Sequence, residues 1–116
     1  MATAEITMTV REVAEGVRVI DIHGEITAFS EDALRDAHEE ASAGDVRAVI
    51  LNFTDLAYMN SSGIGLLVTT LIRAQRAGHK LLAYGLTDHY REIFSLTRID
   101  EAIEIYPDEA SAVAAA

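Results

Sequence analysis

Residues 55–71, DLAYMNSSGIGLLVTTL, separate two kinds of apolar pattern and so decide the fold. Before them, residues 46–53 form a nearly continuous apolar run, which is typical of a strand covered on both faces of a sheet. Helical spacing begins within their second half, with apolar residues at 64, 67, 68, 71 and 72. We therefore predict a central strand, a short turn and a helix over residues 62–77. We expect Ile64, Leu67, Val68 and Leu71 to pack on the sheet.

The turn between strand and helix contains Asn60, Ser61 and Ser62, three residues that favour helix N-caps. A simple cap is the commonest role of such a triplet. A helix N-terminus also presents free N–H groups, which favour an anion or a phosphoryl group on one of the serines. Gly63 and Gly65 cost helix stability, which suggests that something approaches the backbone closely. They complete neither a dinucleotide fingerprint nor a P-loop.

The other elements follow from strand alternation, helix spacing and turn residues. We predict strands at 6–13 and 17–22, the second ended by Gly24, and then a helix that begins at Ser30 or Glu31 and stops at Gly44. The strand at 46–53 and the helix at 62–77 come next, followed by a strand at 80–84. Asp88 is predicted to cap a third helix with Tyr90, Ile93, Phe94 and Leu96 inward, and a strand at 103–106 and a helix at 107–114 complete the chain order. The alanine-rich tail is predicted to fray.

This order, β-β-α-β-α-β-α-β-α, predicts an α/β fold. Alternating units imply a mixed, mostly parallel sheet, with an antiparallel N-terminal edge strand and about four helices. The length of 116 residues predicts a single domain over residues 1–116.

Composition excludes several classes of function. The net charge of −10 argues against nucleic acid and against an anionic membrane surface. The chain has no cysteine, no signal-peptide pattern and no apolar run long enough to span a bilayer, so we expect a cytoplasmic protein without membrane insertion. No metal-ligand pattern or cofactor motif is present, and we predict neither a metal nor a cofactor.

A small serine hydrolase is one alternative. It would need a histidine and an acid converging on Ser61 or Ser62, and His23, at a strand end, is the histidine that could lie near. The other three histidines, at 38, 79 and 89, are predicted to be surface or satisfied residues.

The serine turn and its surroundings resemble the signature of STAS domains, in particular the small free-standing anti-sigma-factor antagonists of bacteria. The resemblance extends over essentially the full chain. It is carried by MNSSGIGLL at 59–67, GEIT at 24–27, LTRID at 96–100 and PDEA at 107–110.

The resemblance implies a phosphorylation switch. In such antagonists the unphosphorylated form binds a partner that is both a serine kinase and an anti-sigma factor. Phosphorylation of the first serine of the motif, here Ser61, ends the binding, and a phosphatase resets the switch. The positions that the resemblance assigns to partner binding are Asn60, Ser62, Gly63, Gly24, Glu25 and Thr27. We expect that a protein of this kind is not an enzyme.

This chain departs from the family pattern at two positions where the family usually has Asp, which are occupied by Asn60 and Thr27. Loss of both acids predicts a slow kinase substrate, because phosphoryl transfer depends on positioned charge. The resemblance also permits a second function, a STAS scaffold subunit of a stressosome-like or lipid-transport ABC assembly. In that function phosphorylation is optional, and a homo-oligomer or larger assembly is expected.

Overall fold

The computed structural model describes residues 6–116, which form one five-stranded sheet with helices on both faces. The strands are β1 (Ile6–Ala14), β2 (Val17–Ile26), β3 (Ala48–Met59), β4 (Lys80–Tyr84) and β5 (Glu104–Tyr106). The helices are α1 (Glu31–Ala41), α2 (Ser61–Ala77), α3 (Asp88–Leu96) and α4 (Glu109–Ala115). Short 3₁₀ turns at Ala28–Ser30 and Ile99–Glu101 precede α1 and β5.

The strands lie in the order of the sequence, β1-β2-β3-β4-β5. β1 pairs antiparallel with β2, and every later pair is parallel. Each parallel pair is joined through one helix, and the crossovers all advance in the same direction across the sheet. Right-handed crossovers then place α1, α2 and α3 on one face. The predicted mixed sheet, its antiparallel edge strand and its four helices are confirmed.

Two apolar clusters cover the two faces of the sheet. The larger lies beneath α1, α2 and α3 and includes Val49, Leu51 and Phe53 of β3. The smaller lies beneath α4 and includes Ala48 and Ile50 of the same strand. Alternate residues of β3 therefore enter different clusters, and the predicted central position of the strand is confirmed.

Strands β2 and β3 both run further than predicted. Gly24 does not end β2, because the strand continues to Ile26, and β3 continues past Phe53 to Met59. The extensions pair with each other, with Ile26 opposite Met59. The polar segment after Phe53 looks like a strand end in the sequence, but pairing with β2 keeps it extended. Both strands therefore lead directly to the N-terminus of α2.

The predicted inner face of α2 is partly wrong. Leu67 is fully buried, whereas Val68 is 38% exposed, and Ile64 and Leu71 are half-buried. The buried side of the helix runs instead through Gly63, Leu67, Thr70 and Ala74. The small residues permit close approach, so the helix is rotated away from its most apolar stripe. Leu96, predicted to face inward on α3, is 77% exposed.

Three predictions near the helix ends also need correction. Asp88 is the first residue of α3 rather than its cap, and the cap position is held by Thr87. The last helix begins at Glu109 and not at Pro107, because Asp108 caps it by accepting a hydrogen bond from the Ser111 N–H at 2.8 Å. The tail also packs on the sheet, since Ala112 is fully buried.

Within residues 6–116, no helix is both long enough and apolar enough to cross a membrane.

Candidate functional site

The serine turn lies where the ends of β2 and β3 meet the N-terminus of α2. Asn60 is the N-cap, and its Oδ1 accepts a hydrogen bond from the Gly63 N–H at 2.9 Å. The Asn60 N–H donates to the carbonyl oxygen of Ile26 at 3.3 Å. Asn60 therefore starts the helix and also joins it to the last residue of β2. A neutral amide performs the cap, which is the role available to an Asp at the same position.

Gly63 lies on the backbone of β2. A Cβ atom placed on Gly63 would come within 2.2 Å of the Ile26 carbonyl oxygen, a separation that no packing permits. The sequence prediction that a glycine near the helix start admits a close neighbour is confirmed at Gly63. At Gly65 it is wrong, because a Cβ atom there would meet nothing within 4 Å.

Ser61 and Ser62 are the first two residues of α2, and both are exposed. Among residues 6–116, neither hydroxyl has a hydrogen-bond partner. The N–H groups of the first helical turn have no carbonyl of their own helix to bond, so the positive end of the helix dipole lies at these hydroxyls. The site can therefore present a neutral hydroxyl or hold a phosphoryl group at the same position.

The segment after β2 forms a hydrogen-bonded turn beside the α2 N-terminus. The Thr27 hydroxyl accepts from the Phe29 N–H at 3.2 Å, and the Ser30 hydroxyl accepts from the Thr27 N–H at 3.0 Å. The Ser30 hydroxyl also donates to the Glu25 carbonyl at 3.1 Å. These bonds hold the Phe29 side chain outward, where it is 94% exposed. No sequence pattern predicted a role for Phe29 or for the Ser30 hydroxyl.

The predicted partner-binding residues are not equivalent in the structure. Asn60, Thr27 and the exposed Ser62 surround the turn, while Gly63 is buried and contributes to the site by packing. Glu25 is half-buried and lies opposite Tyr58 in the sheet. Gly24 has a φ of 108°, a conformation that favours glycine, next to an irregularity in the β2–β3 pairing.

Tyr90 of α3 holds the end of β3 and was predicted only as a core residue. Its hydroxyl accepts a hydrogen bond from the Met59 N–H at 2.9 Å, immediately before the cap residue Asn60. A buried tyrosine needs a partner for its hydroxyl, and this need is the signal that the sequence offered. The sequence alone could not say which backbone group it would meet.

A hydrolytic site at Ser61 receives no support from the geometry. His23 Nδ1 lies 3.2 Å from Asp55 Oδ2 on the exposed edge of the β2–β3 pairing. No histidine nitrogen in the described part of the chain lies within hydrogen-bond distance of the Ser61 hydroxyl. The same residues contain no group of three histidine, aspartate or glutamate side chains that could hold a metal ion.

Comparisons with known proteins identify the family of this chain. The STAS domain model matches residues 8–112. An anti-sigma-B factor antagonist of Listeria monocytogenes is 27% identical over 86 residues, which are 74% of this chain and 75% of that protein. An anti-sigma factor antagonist of Mycobacterium paratuberculosis superposes with a TM-score of 0.77 and 26% identity, covering 98% of this chain and 96% of the other.

A more distant neighbour has been solved in a phosphorylated form. The Bacillus cell fate determinant SpoIIAA in that form superposes with a TM-score of 0.71 and 20% identity, covering 95% of this chain and all of that one. At this identity the likeness concerns the fold. The family model extends from β1 into α4 and includes α1, α2, α3 and the serine turn. The chain therefore belongs to the STAS domain family.

Proposed function

We propose that this protein is an anti-sigma-factor antagonist that binds an anti-sigma factor and is released when Ser61 is phosphorylated. The observation that carries the proposal is the exposed Ser61 hydroxyl at the first position of α2, without a hydrogen-bond partner in residues 6–116. The names of the relatives support the class of partner. The function is binding, and the chemistry at Ser61 is performed by a partner kinase.

The physical basis of the switch is charge. A phosphoryl group adds about −1.5 to −2 charges at neutral pH. The helix N-terminus stabilises that charge, so the fold does not need to change when Ser61 is modified. A partner surface shaped for a neutral hydroxyl loses its fit, because the new charge must be desolvated on binding. The switch therefore acts at the interface.

The first test compares four proteins: the natural chain, Ser61→Ala, Ser61→Asp and Ser62→Ala. Each is used to capture the anti-sigma factor from the source cells, and the captured protein is then purified and incubated with the chain and ATP. We expect Ser61→Ala to bind and to take no phosphate, and Ser61→Asp to bind weakly. Ser62→Ala is the matched control for the position of the phosphate, and it should be labelled.

Two results would contradict the proposal. Phosphate found by mass spectrometry on Ser62 would move the switch to the neighbouring residue. Equal binding by all four proteins, within a large assembly that stays intact on size exclusion, would identify a scaffold subunit instead of a switched antagonist.

Two exposed aromatic side chains suggest where the partner makes its apolar contacts. Phe29 is held outward by the Thr27–Ser30 turn, and Tyr58, 47% exposed, lies on β3 shortly before Ser61. Interfaces place such aromatic residues in pockets, where a few of them supply most of the binding energy. We expect Phe29→Ala to weaken partner binding by at least about 2 kcal/mol, roughly thirtyfold, without loss of stability.

The matched control for Phe29 is Ile72→Ala. Ile72 is also apolar and 42% exposed, but it lies about 16 Å along α2 from Ser61. Isothermal titration with the purified partner should show a loss for Phe29→Ala and little change for Ile72→Ala. Equal losses, or none for Phe29→Ala, would place the contact surface elsewhere.

A further inference from the structure

The free edge of β1 is a second surface that the serine switch does not use. β1 is the first strand of the sheet, and among residues 6–116 no strand pairs with its outer edge. Its first half, ITMTV at 6–10, contains no charge and no proline, and the only irregularity in its pairing lies later, between Glu12 and Ala14. Edges are normally protected by charges, prolines or bulges, so this half of β1 can accept another strand.

A groove runs along this edge, between β1 and α1. Its volume is about 370 Å³, and its lining consists of Ile6, Thr7, Met8, Ala33, Asp36, Ala37 and Glu40. The floor is apolar, because Ile6 and Met8 of β1 are only partly buried and pack on the larger core cluster. A side chain that projects from an added strand towards α1 would enter this groove.

The charge of the groove selects the occupant. Asp36 and Glu40 are exposed on consecutive turns of α1, and the Asp36 side chain is 71% exposed. The Arg35 guanidinium lies closer to Asp32, at 3.2 Å, than to Asp36, at 3.6 Å. Glu40 forms no ion pair within the described residues. The groove wall therefore carries net negative charge beside an apolar floor.

We propose that the outer edge of β1 binds an extended peptide segment of a partner protein, with an apolar side chain on the groove floor and basic side chains at Asp36 and Glu40. The added strand would pair with the backbone of β1, which supplies affinity, and the groove would select the side chains. A second copy of this chain is a poor occupant. Two-fold pairing of two β1 edges would place Asp36 and Glu40 of one copy beside those of the other, and like charges oppose that arrangement.

The test uses the full chain and a fluorescent peptide of about seven residues, the length of a typical strand. Lysine, valine and lysine occupy its alternate positions, with threonine between them. Anisotropy measures affinity, and amide chemical shifts locate the site. We expect shifts in β1 and α1 but not at Ser61. Methylation of the peptide nitrogens on one edge should abolish binding, while methylation on the other edge should leave it intact.

The variants Glu40→Lys and Glu39→Lys change the net charge equally, on adjacent residues of α1. Only Glu40 lines the groove, although both are exposed. We expect Glu40→Lys to weaken peptide binding about tenfold or more, and Glu39→Lys less than about threefold.

Several results would overturn the proposal. Equal losses in the two variants, or equal binding of both methylated peptides, would show non-specific attraction to an acidic protein. Sedimentation that shows a dimer of the natural chain, with amide shifts on dilution that lie in β1, would assign the edge to a second copy. Binding that occurs only after residues 1–5 are removed would assign the groove to that segment of the chain.

Discussion

Gly63 is the residue on which the position of the serine turn depends. It is buried, and its missing side chain allows the first turn of α2 to lie on the Ile26 carbonyl of β2. Its N–H is also the group that the Asn60 side chain caps. A larger residue would push α2 away from β2 and would move Ser61 with it.

We predict opposite effects for alanine at the two glycines of this helix. Gly63→Ala should lower the free energy of unfolding by about 1–3 kcal/mol, because its Cβ atom overlaps the Ile26 carbonyl. Gly65→Ala should raise it by up to about 1 kcal/mol, because Gly65 is exposed in open space and alanine is the better helix former. Urea melts of both variants provide the measurement. Loss of stability in both, or in neither, would contradict the close approach at Gly63.

Helix α2 combines an anchored inner side with an exposed apolar stripe. On the inner side of the helix Leu67 is fully buried. Thr70 is also buried there, and its hydroxyl donates to the Leu66 carbonyl at 2.9 Å. Val68 and Ile72 remain exposed on the outer side. The helix is therefore positioned by its small and central residues rather than by its most apolar ones.

This arrangement predicts unequal costs for two neighbouring substitutions. Leu67→Ala should lower the free energy of unfolding by about 2–5 kcal/mol, as large-to-small changes in a core do. Val68→Ala should cost less than about 1 kcal/mol, because the side chain is 38% exposed and leaves no closed cavity. Chemical denaturation gives both values, and similar losses in the two variants would mean that the helix is rotated relative to this description.

Helix α4 is attached to the opposite face of the sheet by a polar network in addition to its apolar contacts. Arg11 of β1 contacts Asp21 at 2.5 Å and Glu109 at 2.6 Å, and the Tyr84 hydroxyl donates to Glu109 at 2.8 Å. The Arg11 guanidinium holds the pKa values of the Asp21 and Glu109 carboxyl groups below their ordinary values. The network joins β1, β2 and β4 to α4, a seven-residue helix whose buried residue is Ala112.

At the scale of the whole molecule, two buried histidines join distant parts of the chain. His38 on α1 and His79, between α2 and β4, place their Nε2 atoms 3.1 Å apart. The contact requires one ring to donate and the other to accept, so two neutral rings satisfy it. Burial lowers the pKa of His38 to about 4, with smaller contributions from His79 and Arg73. Burial lowers the pKa of His79 as well.

We predict that the protein loses stability in weak acid. In the unfolded chain both imidazoles take up protons near pH 6.5, whereas in the folded protein His38 does so only near pH 4. The unfolded state therefore binds more protons between these values, and the free energy of unfolding falls as the pH falls through them. For His38 the loss is on the order of 3 kcal/mol, and it is complete below pH 4.

The slope of stability against pH separates this effect from general charge effects. Urea melts between pH 7.5 and pH 4 should show a smaller slope for His38→Gln than for the natural chain. The control is His89→Gln, at an exposed histidine that forms no ion pair within residues 6–116, and it should change the slope less than His38→Gln does. An unchanged slope in His38→Gln would show that the buried pair does not govern the acid response.

The order of the elements could be predicted because each pattern is local. The apolar run before the serine turn and the helical spacing after it define a strand and a helix without reference to any other part of the chain. Alternation of such units then specifies a mostly parallel sheet. The same local chemistry predicted a helix cap within Asn60, Ser61 and Ser62, and the structure assigns the cap to Asn60 and the first helical position to Ser61.

Contacts between distant residues are decided only by the tertiary structure. The sequence contains no signal that Gly63 meets Ile26, that Tyr90 holds Met59, or that His38 pairs with His79. The tertiary structure also decides where β2 and β3 end, because each strand is extended by pairing with the other rather than by the pattern of its own residues. Periodicity identifies which residues share a face of an element. The rotation of that face and the backbone groups that it meets depend on packing of the whole chain, in which small residues such as Gly63 permit the closest approach.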